Sequence, residues 1–344
     1  MAEVRGESAG RLEPFGGEAA PLAPLQRLDG PSRRLGVELW VQRDDLTGFG
    51  LSGNKVRKLR VHFAEAAARG ATAVITCGGI QSNHARATVF ACRERGLRPV
   101  LLLRGAPPAA PEGLDGNLLL DLLLGAEVHW IRPEDWPARG AVMESLAARL
   151  REAGERPYLI PEGGSDARGA HGFVLAGRAL ADRGFDSVVV ACGSGGTVAG
   201  LALAGLPVQG VAVCDDAAFF RARVAAIGRE YAALTGIGLP EPGPGRWDLI
   251  DGFVGPGYAR VAPEAWRPML DFHAETGILL DPVYSGKAWL AVEALGPQGA
   301  LGRRVLFWHT GGGFGWFGRG AELTPHLDRG QNPWVPRPAA AGEG

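Results

Sequence analysis

The amino-acid sequence predicts an α/β fold built on parallel sheets, and three observations carry that expectation. Short apolar runs recur along the chain, helical patterns separate them, and the loops between the two are dense in small and polar residues. At 344 residues the chain is long enough for two domains of about 100–200 residues each, with a substantial core. A hydrophobic content of 46% with 21% charged residues suits a soluble globular protein rather than a disordered or fibrous one. The 36 basic and 37 acidic side chains leave a net charge of −1, which offers no electrostatic case for nucleic acid or an anionic membrane surface.

A first series of strands is expected at Ala73-Val74-Ile75-Thr76, Val100-Leu101-Leu102-Leu103, Val128-His129-Trp130-Ile131 and Tyr158-Leu159-Ile160. Each run is short and bounded by turn residues, as buried parallel strands are. Between them, Val56, Leu59, Phe63 and Ala67 repeat at helical spacing ahead of Gly70, and a second helix is expected from about His84 to Gly96, each glycine serving as a C-cap. A second series follows at Ser187-Val188-Val189-Val190-Ala191, Val208-Gln209-Gly210-Val211-Ala212-Val213 and Val305-Leu306-Phe307-Trp308, with a helix from Gly172 to Ala181. Right-handed crossovers would gather the loops after these strands along one crevice, where open α/β sheets bind ligands. The tail from Gln331, rich in Pro, Ala and Gly, is expected to fray.

Cys77, Cys92, Cys192 and Cys214 form no C-x-x-C pair and no zinc-like cluster with histidines, which predicts reduced thiols in a cytoplasmic protein and no bound metal. No stretch reaches the roughly 18 apolar residues of a membrane span, and residues 1–30 lack the apolar core of a signal peptide.

Four loops concentrate the polar chemistry: Gly48 to Lys58, Gly78 to His84, Cys192 to Thr197, and His309 to Gly313. In Cys192-Gly193-Ser194-Gly195-Gly196-Thr197, a strand passes into a helix, so backbone N–H groups and hydroxyls would converge on an anion such as a phosphate. The loop matches neither the dinucleotide fingerprint nor a P-loop, and a tight turn needing glycine is the plainer alternative. In Ser52-Gly53-Asn54-Lys55-Val56-Arg57-Lys58-Leu59, Lys55 and Lys58 fall on one face of a helix start. The helix dipole and the second amine both disfavour a charged Lys55, the condition for an amine nucleophile, although a solvated basic helix start would have the same residues. Lysine is scarce: only Lys55, Lys58 and Lys287 occur among the 36 basic residues; a bias in nucleotide composition would give the same count, but each lysine is a place to ask whether a primary amine is required, which a guanidinium cannot supply.

Five segments, in order, resemble one family. Arg43-Asp44-Asp45-Leu46-Thr47, Ser52 to Leu59, Gly78-Gly79-Ile80-Gln81-Ser82-Asn83-His84, Gly193-Ser194-Gly195-Gly196-Thr197 and Asp281-Pro282-Val283-Tyr284 resemble the motifs of the D-cysteine desulfhydrase and 1-aminocyclopropane-1-carboxylate deaminase family. The resemblance runs from about Arg43 to Thr310. It implies a pyridoxal-phosphate enzyme of the tryptophan-synthase β-subunit fold (fold type II), with two open parallel-sheet domains: residues 1–54 and 166–344 forming a larger cofactor domain, and 55–165 a smaller inserted one. It implies Lys55 as the lysine that carries pyridoxal 5'-phosphate, with Lys58, Ser194, Gly195, Gly196 and Thr197 around the phosphate and Asn83 on the cofactor's phenolic oxygen. Ser82, Asn83 and His84 would receive the substrate carboxylate, and Tyr258 and Tyr284 match the family's active-site tyrosines. A homodimer acting on a small amino acid is also implied. Asp166 departs from the pattern, standing where asparagine commonly follows Gly163-Gly164-Ser165.

The family runs two reactions. Where the deaminase pattern has glutamate and leucine, this chain has Ser285 and Thr310, as the desulfhydrase pattern does. A hydroxyl can only donate to a neutral pyridine nitrogen, whereas a carboxylate would keep the ring protonated and more electron-withdrawing. Expelling a thiol needs less withdrawal than breaking a carbon–carbon bond, so β-elimination from D-cysteine is expected, with ring opening of the cyclopropane amino acid or a related elimination or β-replacement as alternatives. A non-catalytic pyridoxal-phosphate carrier would need none of Ser82, Tyr258 and Tyr284.

Overall fold

The computed structural model describes residues 23–109 and 114–327. The chain passes through β1 (Leu25–Arg27), α1 (Asp29–Leu35), β2 (Glu38–Arg43), α2 (Lys55–Ala68), β3 (Ala73–Gly79), α3 (Asn83–Arg93), β4 (Arg98–Arg104), α4 (Gly116–Leu123), β5 (Glu127–Ile131), α5 (Arg139–Glu152) and β6 (Pro157–Leu159). It continues through α6 (Ala167–Arg178), β7 (Ser187–Cys192), α7 (Gly196–Leu203), β8 (Val208–Ala212), α8 (Ala217–Thr235), β9 (Trp247–Ile250), α9 (Pro263–Thr276), α10 (Ser285–Leu295), β10 (Arg304–His309) and α11 (Gly320–Leu323). Every apolar run named above lies on a strand, although β6 stops at Leu159 and β8 at Ala212. Helix α6 starts at Ala167 rather than Gly172, because the Asp166 side chain accepts from the Gly169 N–H at 2.8 Å and caps it. The tail from Gln331 lies outside the described residues.

The strands form two sheets. One has the order β1-β2-β10-β7-β8-β9, parallel except for β1; the other has β5-β4-β3-β6, all parallel. Alternation along buried strands sends side chains to opposite faces. Val188, Val190, Leu306 and Trp308 meet α6, α7 and α8, while Val189, Ala191, Val305 and Phe307 meet α1, α9 and α10. In the smaller sheet, Ile75 and Leu102 pack on α5, and Val74 on α2 and α3. Both sheets are thus covered on both faces, as all-parallel strands require.

Three helices approach closely because their contact points are glycine. A Cβ on Gly172 of α6 would collide with the backbone of Arg57 in α2, and one on Gly200 of α7 with the carbonyl of Ala170 in α6. The close fit holds α2 against the larger sheet, and a buried ion pair completes it. Arg57 donates to Asp44 through Nε (2.9 Å) and Nη2 (2.7 Å), and Trp308 Nε1 donates to the same carboxylate at 2.9 Å. Arg57 and Asp44 are 4% and 0% exposed, so neither charge has water to fall back on.

Replacing Asp44 with alanine strands the Arg57 guanidinium and should cost about 3–5 kcal/mol of stability. Equilibrium urea unfolding measures it; a loss of under about 1 kcal/mol would show that water reaches the pair.

Candidate active site

In each sheet the strand order reverses once. β7, β8 and β9 run one way from a point where β10 and β2 run the other, and β3, β4 and β5 run one way with β6 on the opposite side. Ligands bind beyond the carboxyl ends of strands at such switch points. Here the loops from both switch points converge on one cavity of ≈ 370 Å³. The β7 and β10 loops contribute Cys192 to Gly195, Thr197, Thr310 and Gly311; the β3 and β6 loops contribute Gly78, Gly79, Ser82, Asn83, Glu162 and Gly163. Asn54 and Lys55, at the start of α2, lie between the two sets.

Close backbone contacts hold Lys55 there. Gly53 has φ +72°, and a Cβ on it would stand 2.5 Å from the Thr310 carbonyl. The Asn54 N–H donates to that carbonyl at 3.0 Å, and its side chain donates to Thr197 Oγ1 at 3.3 Å. Burial pulls the Lys55 amine down to about 8, partly offset by the carboxylates of Glu162 and Asp281. A depression is present as expected, but its cause differs: desolvation dominates, and the cation that adds to it is Arg86 rather than the second lysine.

Lys58 lies one turn on, behind the cavity wall rather than on it. It is 1% exposed, and its Nζ donates to Ser165 Oγ (2.8 Å) and the Gly163 carbonyl (3.3 Å); among the described residues it has no carboxylate partner. Burial, then the neighbouring Lys55, holds its pKa well below the ordinary lysine value. Ser165 Oγ lies 2.7 Å from Ser194 Oγ, so an amine, two hydroxyls and the glycine loop form one polar cluster at the N-terminus of α7. Gly196 is also behind the wall, and a Cβ there would stand 2.8 Å from Ser165 Oγ and 3.0 Å from Lys58 Nζ. A buried amine without a counter-charge, under a glycine loop at a helix N-terminus, fits a phosphate. With an amine on the cavity wall near neutrality, the residues present fit pyridoxal phosphate.

Across the cavity, Ser82 caps α3, its hydroxyl accepting from the Ala85 N–H at 3.2 Å. The N–H groups of Asn83 and His84 head that helix, where a carboxylate is favoured. Asn83 Oδ1 accepts from Asn117 Nδ2 at 3.0 Å, which fixes its amide. The His84 ring is buried, with Nε2 2.8 Å from Thr76 Oγ1, and Thr76 donates to the Ile160 carbonyl. Thr76 has one proton and gives it to Ile160, so His84 Nε2 is the donor to Thr76. Burial and the charges of Lys55 and Lys58 hold the imidazole neutral, so this side chain packs while its backbone faces the cavity. Tyr258 and Tyr284 meet at 3.1 Å between hydroxyl oxygens, and withdrawal from water raises both phenols.

Of the two hydroxyls expected at the pyridine ring, Thr310 lines the cavity and Ser285 does not. The Ser285 hydroxyl is tied into the turn that starts α10: it donates to Asp281 Oδ1 at 2.6 Å and accepts from the Asp281 N–H at 2.7 Å. The other Asp281 oxygen accepts from the Val283 and Tyr284 N–H groups, which explains the Asp-Pro-Val-Tyr segment as the turn that presents Tyr284. Arg104, Trp136, Arg139 and Glu162 also line the cavity and were not anticipated. The Arg104 guanidinium lies 5.2 Å from the Trp136 ring centre and 5.3 Å from that of Tyr258, and Arg139 pairs with Glu162 at 3.2 Å. Arg104 and Glu162 could have been found as polar residues at or just beyond the carboxyl ends of β4 and β6.

Comparison with known proteins agrees with this geometry. Residues 19–311 match the family model described as pyridoxal-phosphate dependent enzyme. A bifunctional D-cysteine desulfhydrase/1-aminocyclopropane-1-carboxylate deaminase of Arabidopsis thaliana is 39% identical over 92% of this chain and 83% of its own length. A D-cysteine desulfhydrase of Yersinia pestis is 37% identical over 86% of this chain and 92% of its own. Among solved structures, an ACC deaminase homologue superposes with a TM-score of 0.83 at 36% identity, covering 92% of this chain and 97% of the other. Two buried amines, a glycine loop at a helix N-terminus and a cleft between two switch points thus have a family to explain them: the chain belongs to the pyridoxal-phosphate dependent enzymes, with the fold type II architecture of its relatives.

Proposed function

We propose that this chain is a lyase that converts D-cysteine and water to pyruvate, ammonia and hydrogen sulfide. The single observation that carries the choice of reaction is a hydroxyl, Thr310, on the cavity wall where the deaminase pattern has leucine. Bound at Lys55, pyridoxal phosphate would supply the electron sink for bond breaking at Cα. Lys58, Ser194 and the glycine loop through Thr197 would hold its phosphate, Asn83 its phenolic oxygen, and Thr310 its ring nitrogen. Ser82 and the N–H groups of Asn83 and His84 would receive the substrate carboxylate. The Lys55 amine, neutral above about pH 8, is the base for the Cα proton. The raised phenols of Tyr258 and Tyr284 keep their protons at neutral pH, so the pair donates to the departing sulfur. Ring opening of the cyclopropane amino acid is the competing reading, supported by the names of several relatives.

Residues 1–54 and 166–344 would form the larger domain and 55–165 the smaller, with closure between them excluding water. A cytoplasmic homodimer completes the proposal. The exposed apolar side chains of Leu123 (72%) and Phe317 (65%) are surfaces that a second copy would cover. No helix among the described residues is long and apolar enough to cross a membrane.

Borohydride reduction of the protein loaded with pyridoxal phosphate should fix the label on Lys55, and Lys55→Ala should abolish release of pyruvate and sulfide from D-cysteine. A peptide map with the label on Lys58 or Lys287 would overturn the assignment. Thr310→Leu should lower elimination a hundredfold or more, at about 1.36 kcal/mol per factor of ten. Unchanged D-cysteine turnover in that variant, or robust ring opening by the unmodified protein, would overturn the choice of reaction. Because only the neutral amine attacks an aldehyde, cofactor uptake by the apoprotein should quicken as pH rises, with a midpoint at about 8 in stopped-flow absorbance; a midpoint near the ordinary lysine value of 10.5 would show that Lys55 is not desolvated.

A further inference from the structure

Lys287 is the third lysine of a chain that otherwise uses arginine, and the site described above leaves it without a task. It lies on α10, just after Tyr284, and is 2% exposed. Its Nζ donates to three backbone carbonyls: Val254 at 2.6 Å, Gly257 at 2.8 Å and Val213 at 3.2 Å. Val213 directly follows β8, and Val254 and Gly257 belong to the loop after β9 that carries Tyr258. An ammonium ion has three protons to place, and all three are used. A planar guanidinium could not aim three N–H groups at oxygens converging on one point, which accounts for lysine here.

The loop it holds is under strain. Ala259, next to Tyr258, has φ +57°, which L-residues other than glycine, asparagine and aspartate rarely adopt. Such a backbone persists only where its surroundings over-determine it. Lys287 holds the carbonyls on one side of Tyr258, and Arg319 donates to the Ala259 carbonyl at 2.6 Å on the other. Tyr258 has no regular element of its own to fix it. These two cations hold the backbone on either side of it, while Arg104 lies over its ring.

We propose that Lys287 is a resident cation of the active site, its ammonium filling a cage of backbone carbonyls that a monovalent metal ion would otherwise fill, and that it positions Tyr258 against Tyr284. Converging backbone carbonyls are the donor set that takes K⁺ out of water, and an ammonium ion is close to K⁺ in size and charge. The lysine stem tethers the cation covalently, so below about pH 8, where the buried amine keeps its proton, the tyrosine pair holds its geometry whatever the salt. This rests on the reading of Tyr258 and Tyr284 as active-site groups, and the test reads the cage separately from the chemistry.

Hydrogen exchange of residues 252–260, followed by mass spectrometry on the cofactor-loaded protein, reports the loop directly. Turnover of D-cysteine is measured in parallel, and every sample is compared in KCl and in tetramethylammonium chloride at matched ionic strength, the latter cation being too large for the cage. Lys287→Met keeps the apolar stem and removes the charge and donors; it should lose loop protection by about tenfold or more and lower kcat more than it raises KM. Lys287→Ala leaves room for an ion, and KCl or methylammonium should restore much of its protection and turnover where tetramethylammonium does not. The wild type should be indifferent to the exchange of salts, which tests the proposal even if a variant fails to fold. Wild-type protection in Lys287→Met, failure of every small cation to rescue Lys287→Ala, or a wild type that needs K⁺ would each overturn it. If D-cysteine proves not to be a substrate, the exchange measurements still decide the role of Lys287.

Discussion

The first turn of α2 withdraws three cationic side chains from water, and the site depends on how each is compensated. Taking an ion out of water costs several kcal/mol unless partners replace the solvent. Arg57 has the Asp44 carboxylate, itself held by Trp308, so its charge is kept and locks the helix to β2 and β10. Lys58 has only a carbonyl and a hydroxyl, which leaves it a donor in search of an anion. The burial of Lys55 is only partly offset by the carboxylates of Glu162 and Asp281, and it brings the amine down to about 8. One paired charge and two desolvated amines thus come from four consecutive residues, separated by what each side chain meets.

Because α2 is locked to the larger sheet at Arg57 and packs on the smaller sheet through Leu59 and Phe63, its N-terminus stays at the junction of the two. Each sheet reverses its strand order once, and the two crevices open toward that junction. Neither sheet holds a complete site. The larger one carries the glycine loop, Thr310 and the tyrosines, and the smaller one carries the Ser82 turn, Arg104 and Glu162. A change in the angle between the sheets would therefore alter every distance across the cavity while leaving each half intact.

Much of this was legible in the order of residues. Strands betray themselves by composition, since a strand buried on both faces has no polar positions to spare. The glycine loop and the paired lysines stand out because anion binding and amine chemistry each need specific residue types at short spacing, and short spacing survives in sequence. Less legible were the terms that depend on distant partners. Asp44 and Asp281 sit inside the segments that suggested the family, yet their carboxylates hold Arg57 in one case and the α10 turn in the other. Nothing local distinguishes a carboxylate that builds a turn from one that meets a ligand.

Ser285 marks the boundary most clearly. Its position one residue after Tyr284 placed it near the cofactor, but a serine four residues beyond an aspartate at a helix start can also close a turn, and the fold uses it that way. Arg104, Trp136 and Glu162 reach the cavity from segments separated by dozens of residues, so only the pairing of β4 with β3 and β5, and of β3 with β6, brings them together. The sequence by itself determined the fold class and singled out the paired lysines and the glycine loop, because each rests on local periodicity or on residue types a few positions apart. The tertiary structure decided which amine lines the cavity and which lies behind its wall, and which hydroxyl faces the cavity. Burial and cross-sheet contact are set by the packing of both sheets together, and no single stretch of chain contains them.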